Sequence, residues 1–221
     1  MENLAPVLDF LSELEKNNAR PWFEDHRRQY QLAKDRFEEL VNQVIAEFRP
    51  VEDLGGLSAK ECVMRIFRDM RFSKDKTPYR TSMAASIAPG GRRSGRMAYY
   101  LHLESHNRSM IAGGLYMPEP EQITRFREAV SQRPGLFKSI ISDAEFKQYF
   151  GSLQGERLKT APKGFPPDHP EIELLRLKEV LAVHPLPDAD VLSDGFTTDI
   201  VKTFTALKPF LDYLNELSTF S

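Results

Sequence analysis

Residues 81–117 read TSMAASIAPGGRRSGRMAYYLHLESHNRSMIAGGLYM, and this stretch decides the fold class. Met83, Ala85 and Ile87 alternate with Ser82, Ala84 and Ser86. Met97, Tyr99, Leu101 and Leu103 alternate with Ala98, Tyr100, His102 and Glu104. A third run, MIAGGLYM, covers 110–117. Alternation with a period of two places side chains on opposite faces of a strand. The segments between these runs, PGGRRSG and SHNRS, have turn composition. Connections this short require antiparallel pairing, because a parallel crossover needs a dozen or more residues.

Working outward, CVMRIF (62–67) reads as a strand that is apolar on both faces, and EVLAVHPL (179–186) reads as another. The expectation is therefore a meander of four to five strands. Upstream, Leu4, Val7, Leu8, Leu11 and Leu14 recur at helical spacing, and Asn17-Asn18 breaks the pattern. From Pro21, the residues Trp22, His26, Tyr30, Ala33, Phe37, Leu40, Val44 and Phe48 predict one long helix ending at Pro50. These two helices would form a hairpin lid. Downstream, helices are expected over about 119–132, 134–142 and 143–150, with a short one carrying Leu174, Leu175 and Leu177. A final helix over about 196–217 aligns Ile200, Phe204, Leu207, Leu211 and Leu214, with a kink expected at Pro209. Helices, then a meander, then helices make an α+β fold. The predicted organisation is a single domain: a helix pair (4–49), a meander (61–117) and a helical C-terminal part (119–217).

A chain of 221 residues with 41 % hydrophobic and 28 % charged residues can bury a core without disulfides or metal. Its one cysteine, Cys62, excludes an intramolecular disulfide and fits a reducing compartment. The leading residues carry acids among leucines and lack the pattern of a signal peptide. No apolar run reaches the length of a membrane span. A cytoplasmic protein with no membrane partner is expected.

Net charge is −2, yet Arg65–Arg96 holds nine basic residues and two acids, so that segment is +7 and the remainder −9. Its first half is RIFRDMRFSKDKTPYRT, residues 65–81. Local positive charge is what an anionic partner feels. One reading makes Arg65, Arg68, Arg71, Lys74, Lys76, Tyr79 and Arg80 a site for a small anionic or phosphorylated ligand, with Asp69 and Asp75 orienting the arginines. Guanidinium forks suit carboxylate and phosphate. Gly113-Gly114 would let backbone approach the ligand, and Arg92, Arg93 and Arg96 would widen the patch. A second reading makes the same residues a scaffold, with Arg68–Asp69 and Asp75–Lys76 paired and Phe67 and Phe72 plugging the core. A third is an enzyme acting on a phosphate- or carboxylate-bearing substrate, with His169 or Tyr79 as proton donor. Nucleic acid ranks below these, since the chain is acidic overall and carries no nucleic-acid motif.

Lys159, Lys163 and His169, on the long proline-rich loop 159–170, could complete the site. His102 and His106 flank a turn without a third ligand, so no metal site is expected. No cofactor motif is present. His26 and Cys62 read as packed residues.

Arg65, Arg68-Asp69, Arg71-Phe72, Asp75-Lys76 and Tyr79 resemble the signature of a bacterial and fungal family of conserved hypothetical proteins, domain of unknown function 2461. NNARPWFEDHR (17–27), GGLYMPEP (113–120) and LKTAPKGFPPDHPEIELLRLK (158–178) carry the resemblance nearly end to end. It implies a shared fold and no particular reaction.

Overall fold

The structure, a computed structural model, describes residues 3–69 and 75–219. Arg71, Phe72 and Lys74 of the basic run lie outside the described residues.

The described residues form an α+β fold in the order α1 (Ala5–Lys16), α2 (Arg20–Asp25), α3 (Arg27–Phe48), α4 (Ala59–Cys62), β1 (Met83–Ile87), β2 (Tyr99–Leu103), β3 (Ser109–Leu115), α5 (Pro120–Gln132), α6 (Pro134–Ser142), α7 (Ala144–Phe150), α8 (Ile172–Leu175), β4 (Val180–Leu186), α9 (Asp188–Val191) and α10 (Phe196–Thr219). The four strands make one antiparallel sheet in the order β1-β2-β3-β4. Among the described residues no helix is long and apolar enough to cross a membrane.

Two differences from expectation have local causes. The long helix from Pro21 divides at His26, whose backbone (φ −107°, ψ 18°) leaves the helical region. There the His26 backbone N–H and Nδ1 both bond the Trp22 carbonyl, at 3.0 and 2.8 Å, and the ring stacks on Trp22 at 4.0 Å. The expected strand 62–67 instead begins as the end of α4. Ser58 and Glu61 close a capping box, with the Ser58 N–H donating to Glu61 Oε2 at 2.9 Å. Reciprocal capping satisfies two otherwise orphan donors and starts a helix there. Beyond Cys62 only isolated bridges form, Val63 with Ala85 and Phe67 with Tyr79.

The chain packs into two compact units. The first holds residues 1–94, 100–111 and 185–202. Its core is the apolar stripe of α1 and α3, with Val7, Leu11, Leu14, Phe37, Leu40, Val44 and Phe48 fully enclosed. Phe23 of α2 stacks flat on Tyr79, with centroids 4.0 Å apart, and Phe67 leans on both. The second unit holds residues 95–99, 112–184 and 203–221. Phe126, Phe137, Phe146, Phe210 and Tyr213 fill its core. Arg127 of α5 reaches across, donating to the Leu175 and Leu177 carbonyls at 2.8 and 2.9 Å. The helix α10 continues through Pro209 and sets Leu207 and Leu211 against Gly113. A Cβ at Gly113 would fall 2.8 Å from Leu207 Cδ2, and one at Gly114 only 2.0 Å from the Val180 carbonyl oxygen. The glycine pair therefore admits α10 and β4, in place of the ligand expected there.

Candidate functional site

The described residues of the basic run, 65–69 and 75–81, belong to an irregular antiparallel ribbon that leads into β1. Met64 N–H donates to the Ala84 carbonyl at 2.8 Å, Arg80 N–H to Ile66 at 2.8 Å, and Arg68 N–H to Pro78 at 3.0 Å. Between the bonded pairs 64/84 and 66/80, Arg65 stands alone on one side, while Thr81, Ser82 and Met83 stand on the other. Extra residues on one strand bend and twist a pair of strands. Arg65 and Arg68 therefore line different clefts.

Asn18, in the link between α1 and α2, fixes the ribbon at Tyr79. Its Nδ2 donates to the Tyr79 carbonyl at 3.0 Å, and its Oδ1 accepts from the Tyr79 N–H at 3.1 Å. Both polar groups of a buried backbone unit are thereby satisfied. Burial pushes the Tyr79 phenol above its ordinary range.

The first cleft, about 240 Å³, combines the buried Phe37, Ile66 and Met83 with the cations Lys34, Lys60, Arg65 and Arg92. Among the described residues Glu38 is the one carboxylate in its lining, and it is taken by Lys34 at 2.9 Å. That bond raises the lysine further above its ordinary value. Arg92 donates to two neutral groups, the Lys60 and Val63 carbonyls, both at 3.0 Å. Among the described residues, neither the Lys60 ammonium nor the Arg65 guanidinium has a carboxylate partner. Phe67, which the scaffold reading places in the core, is 45 % exposed and borders this cleft beside Arg65.

The second cleft, about 590 Å³, is lined by Arg68 and Arg80, by Asn18, Thr77, Thr81 and Ser82, and by the acids Glu15, Asp69 and Asp75. Arg68 is engaged internally, by Asp75 and by Thr77 Oγ1 at 2.6 Å. The Thr77 backbone N–H, then Arg68, then the Thr77 hydroxyl hold the Asp75 carboxyl at about 2. Glu15 is clamped by the Arg108 guanidinium at 2.9 and 2.6 Å, and that bond holds its carboxyl below the usual range. Arg80 is exposed, and no described group pairs with its side chain. Lys76 is exposed.

Lys159, Lys163 and His169 belong to the second unit. His169 Nδ1 accepts from the Glu171 N–H at 3.0 Å, and Nε2 meets Ser131 Oγ at 2.9 Å, so the ring caps the approach to α8. Cys62 is enclosed, and burial pushes its thiol up to about 11, far from the thiolate needed for reactivity. Among the described residues no cluster of three or more His, Cys, Asp or Glu could hold a metal.

Sequence reasoning missed Lys34 and Lys60 as neighbours of Arg65. The visible signal for Lys60 was SAKE (58–61), a capping box that turns this segment into a helix before the ribbon begins. It also missed that His102 of β2 touches both Tyr100 of the same strand and Glu104 just past its end.

A family model described as conserved hypothetical protein (DUF2461) matches residues 6–213. No curated protein and no solved structure matches the chain.

Proposed function

The chain belongs to this conserved hypothetical family, which carries no assigned activity, and we propose that it binds a small carboxylate- or phosphate-bearing ligand in the cleft of Arg65. One observation carries the reading: among the described residues no carboxylate pairs with Lys60, Arg65 or Arg92 at a partly apolar cavity, whose lining carboxylate, Glu38, is taken by Lys34. Cations beside low-dielectric walls focus their field into the cleft and raise the local concentration of anions. Arg65 supplies a planar fork for two oxygens, and Lys60 a point charge. Arg68 and Asp75, bound to each other, serve here as a brace between the two sides of the ribbon.

Thermal unfolding tests this with phosphate, nucleotides, sugar phosphates and polycarboxylates. A ligand at a hundred times its dissociation constant adds about 2.7 kcal/mol, which shifts the midpoint by about 5–10 °C for a chain of this size. The shift should vanish in Arg65→Ala and Lys60→Ala while their unliganded midpoints stay near wild type. Arg80→Ala is the control. Loss of binding in Arg80→Ala alone assigns the ligand to the second cleft. No shift with any anion, together with a lowered midpoint in Arg65→Ala, overturns the proposal in favour of a scaffold.

A further inference from the structure

We infer that Tyr100, His102 and Glu104 form a proton relay that makes the Tyr100 phenol a nucleophile toward activated acyl groups. Tyr100 and His102 stand at alternate positions of β2 and Glu104 follows directly after its end, continuing the face opposite Tyr99, Leu101 and Leu103. Tyr100 Oη lies 3.3 Å from His102 Nδ1, and His102 Nε2 lies 3.0 Å from Glu104 Oε2. An ionised carboxylate only accepts, so Nε2 carries the ring proton. That leaves Nδ1 as the bare acceptor, with the phenol donating to it. A hydroxyl, an imidazole base and an orienting carboxylate, joined in that order, convert a weak nucleophile into an active one.

The far end of the relay is fixed. Glu104 Oε1 accepts from the Thr81 hydroxyl at 3.2 Å and lies 3.3 Å from Arg108 Nε. Arg108 is in turn held by both oxygens of Glu15 on α1. The imidazole thus meets Tyr100 on its own strand and Glu104 just past its end. Thr81 before β1, Arg108 from the following turn and Glu15 from α1 act on it through Glu104. With the His102 and Glu104 side chains 13 % and 18 % exposed, the pair is largely withdrawn from solvent screening. A carboxylate tied on one oxygen and offered on the other sets the tautomer of the imidazole, as outer partners do for functional histidines.

The step balances without any further reactant. Tyr100 Oη attacks the acyl carbon of an activated ester, and the bond from that carbon to the leaving oxygen breaks. The phenol proton passes to His102 Nδ1, the imidazolium is held by Glu104, and the proton then goes to the leaving oxygen. The products are O-acyl-tyrosine and the released alcohol or phenol.

The test treats the full chain with p-nitrophenyl acetate, follows p-nitrophenolate release, and maps the acetylated tyrosines by mass spectrometry. Tyr116, 71 % exposed, is the internal reference for an ordinary phenol. Tyr100 should acetylate at least about tenfold faster than Tyr116, a difference large enough to require a base. Its rate should not climb with pH through the phenol range, about 10, as that of an unassisted phenol does, because a base takes the proton as the bond forms. His102→Gln should bring Tyr100 down to the Tyr116 rate. Glu104→Gln should slow it with the phenol still in place. Equal rates at the two tyrosines, or a Tyr100 rate that climbs through the phenol range, overturn the inference. Both readouts come from the wild-type chain, so they decide the matter even if a variant fails to fold.

Discussion

Asn18→Ala should loosen the ribbon from α1 and α2. Asn18 makes two hydrogen bonds to the backbone of Tyr79, sixty-one residues away, at 3.0 and 3.1 Å. Tyr79 is only 3 % exposed. Each bond contributes about 1 kcal/mol net, and a buried polar group left without a partner costs about 1–3 kcal/mol. If water replaces the amide, the loss is about 2 kcal/mol; if the Tyr79 groups stay dry, it approaches about 4 kcal/mol. The adjacent Asn17 makes one exposed bond, from Nδ2 to the Glu13 carbonyl at 3.0 Å. Asn17→Ala should therefore cost about 0.5 kcal/mol or less. Trp22, the one tryptophan of the chain, stacks on His26 in the same unit and gives the signal. Urea unfolding followed by its fluorescence, with midpoints compared at a common slope, yields the difference. A loss below about 1 kcal/mol, or one equal to that of Asn17→Ala, refutes the reasoning. Stacking of Tyr79 on Phe23 would then suffice to seat the ribbon.

Two further predictions concern charge and backbone. The fold holds Asp75 at about 2 against an ordinary 3.8, so it favours the ionised form. That contribution is complete above about pH 4 and is lost as the pH falls through about 2. Melting curves over this window should drop more steeply for wild type than for Asp75→Asn, and parallel curves would discard the pairing with Arg68 and Thr77. Gly114→Ala would set a methyl 2.0 Å from the Val180 carbonyl oxygen at a residue with φ +129°. It should cost about 3 kcal/mol or more and speed hydrogen exchange of the β4 amides; unchanged exchange there would show that β4 does not depend on this close approach.

The meander was legible because period-two alternation reports faces directly. β1, β2 and β3 lie where 81–117 placed them, and the distant run 179–186 joined them as β4. The first expected strand was half legible. CVMRIF has strand composition, but a capping box claims its start, and the two-residue surplus at Thr81–Met83 breaks its pairing. Periodicity carries no signal for a register shift between segments. The basic run was visible as charge, yet its division into two clefts follows from that same shift. Partners far apart in sequence, such as Asn18 with Tyr79 and Glu15 with Arg108, leave no local pattern. Near neighbours such as Tyr100, His102 and Glu104 do leave one, since an alternating strand brings its own polar positions side by side.

The chain crosses between the two compact units five times, after residues 94, 99, 111, 184 and 202. No single peptide bond can therefore be cut to release either unit whole. During synthesis the first unit waits for residue 202, although its first four helices have been made by residue 94. A nascent chain must hold an unfinished sheet while residues 112–184 are made, and β4 arrives as the strand that closes it. Truncations meant to isolate one unit would strip strands from both, whereas insertions in the turns within a unit leave this interleaved path intact.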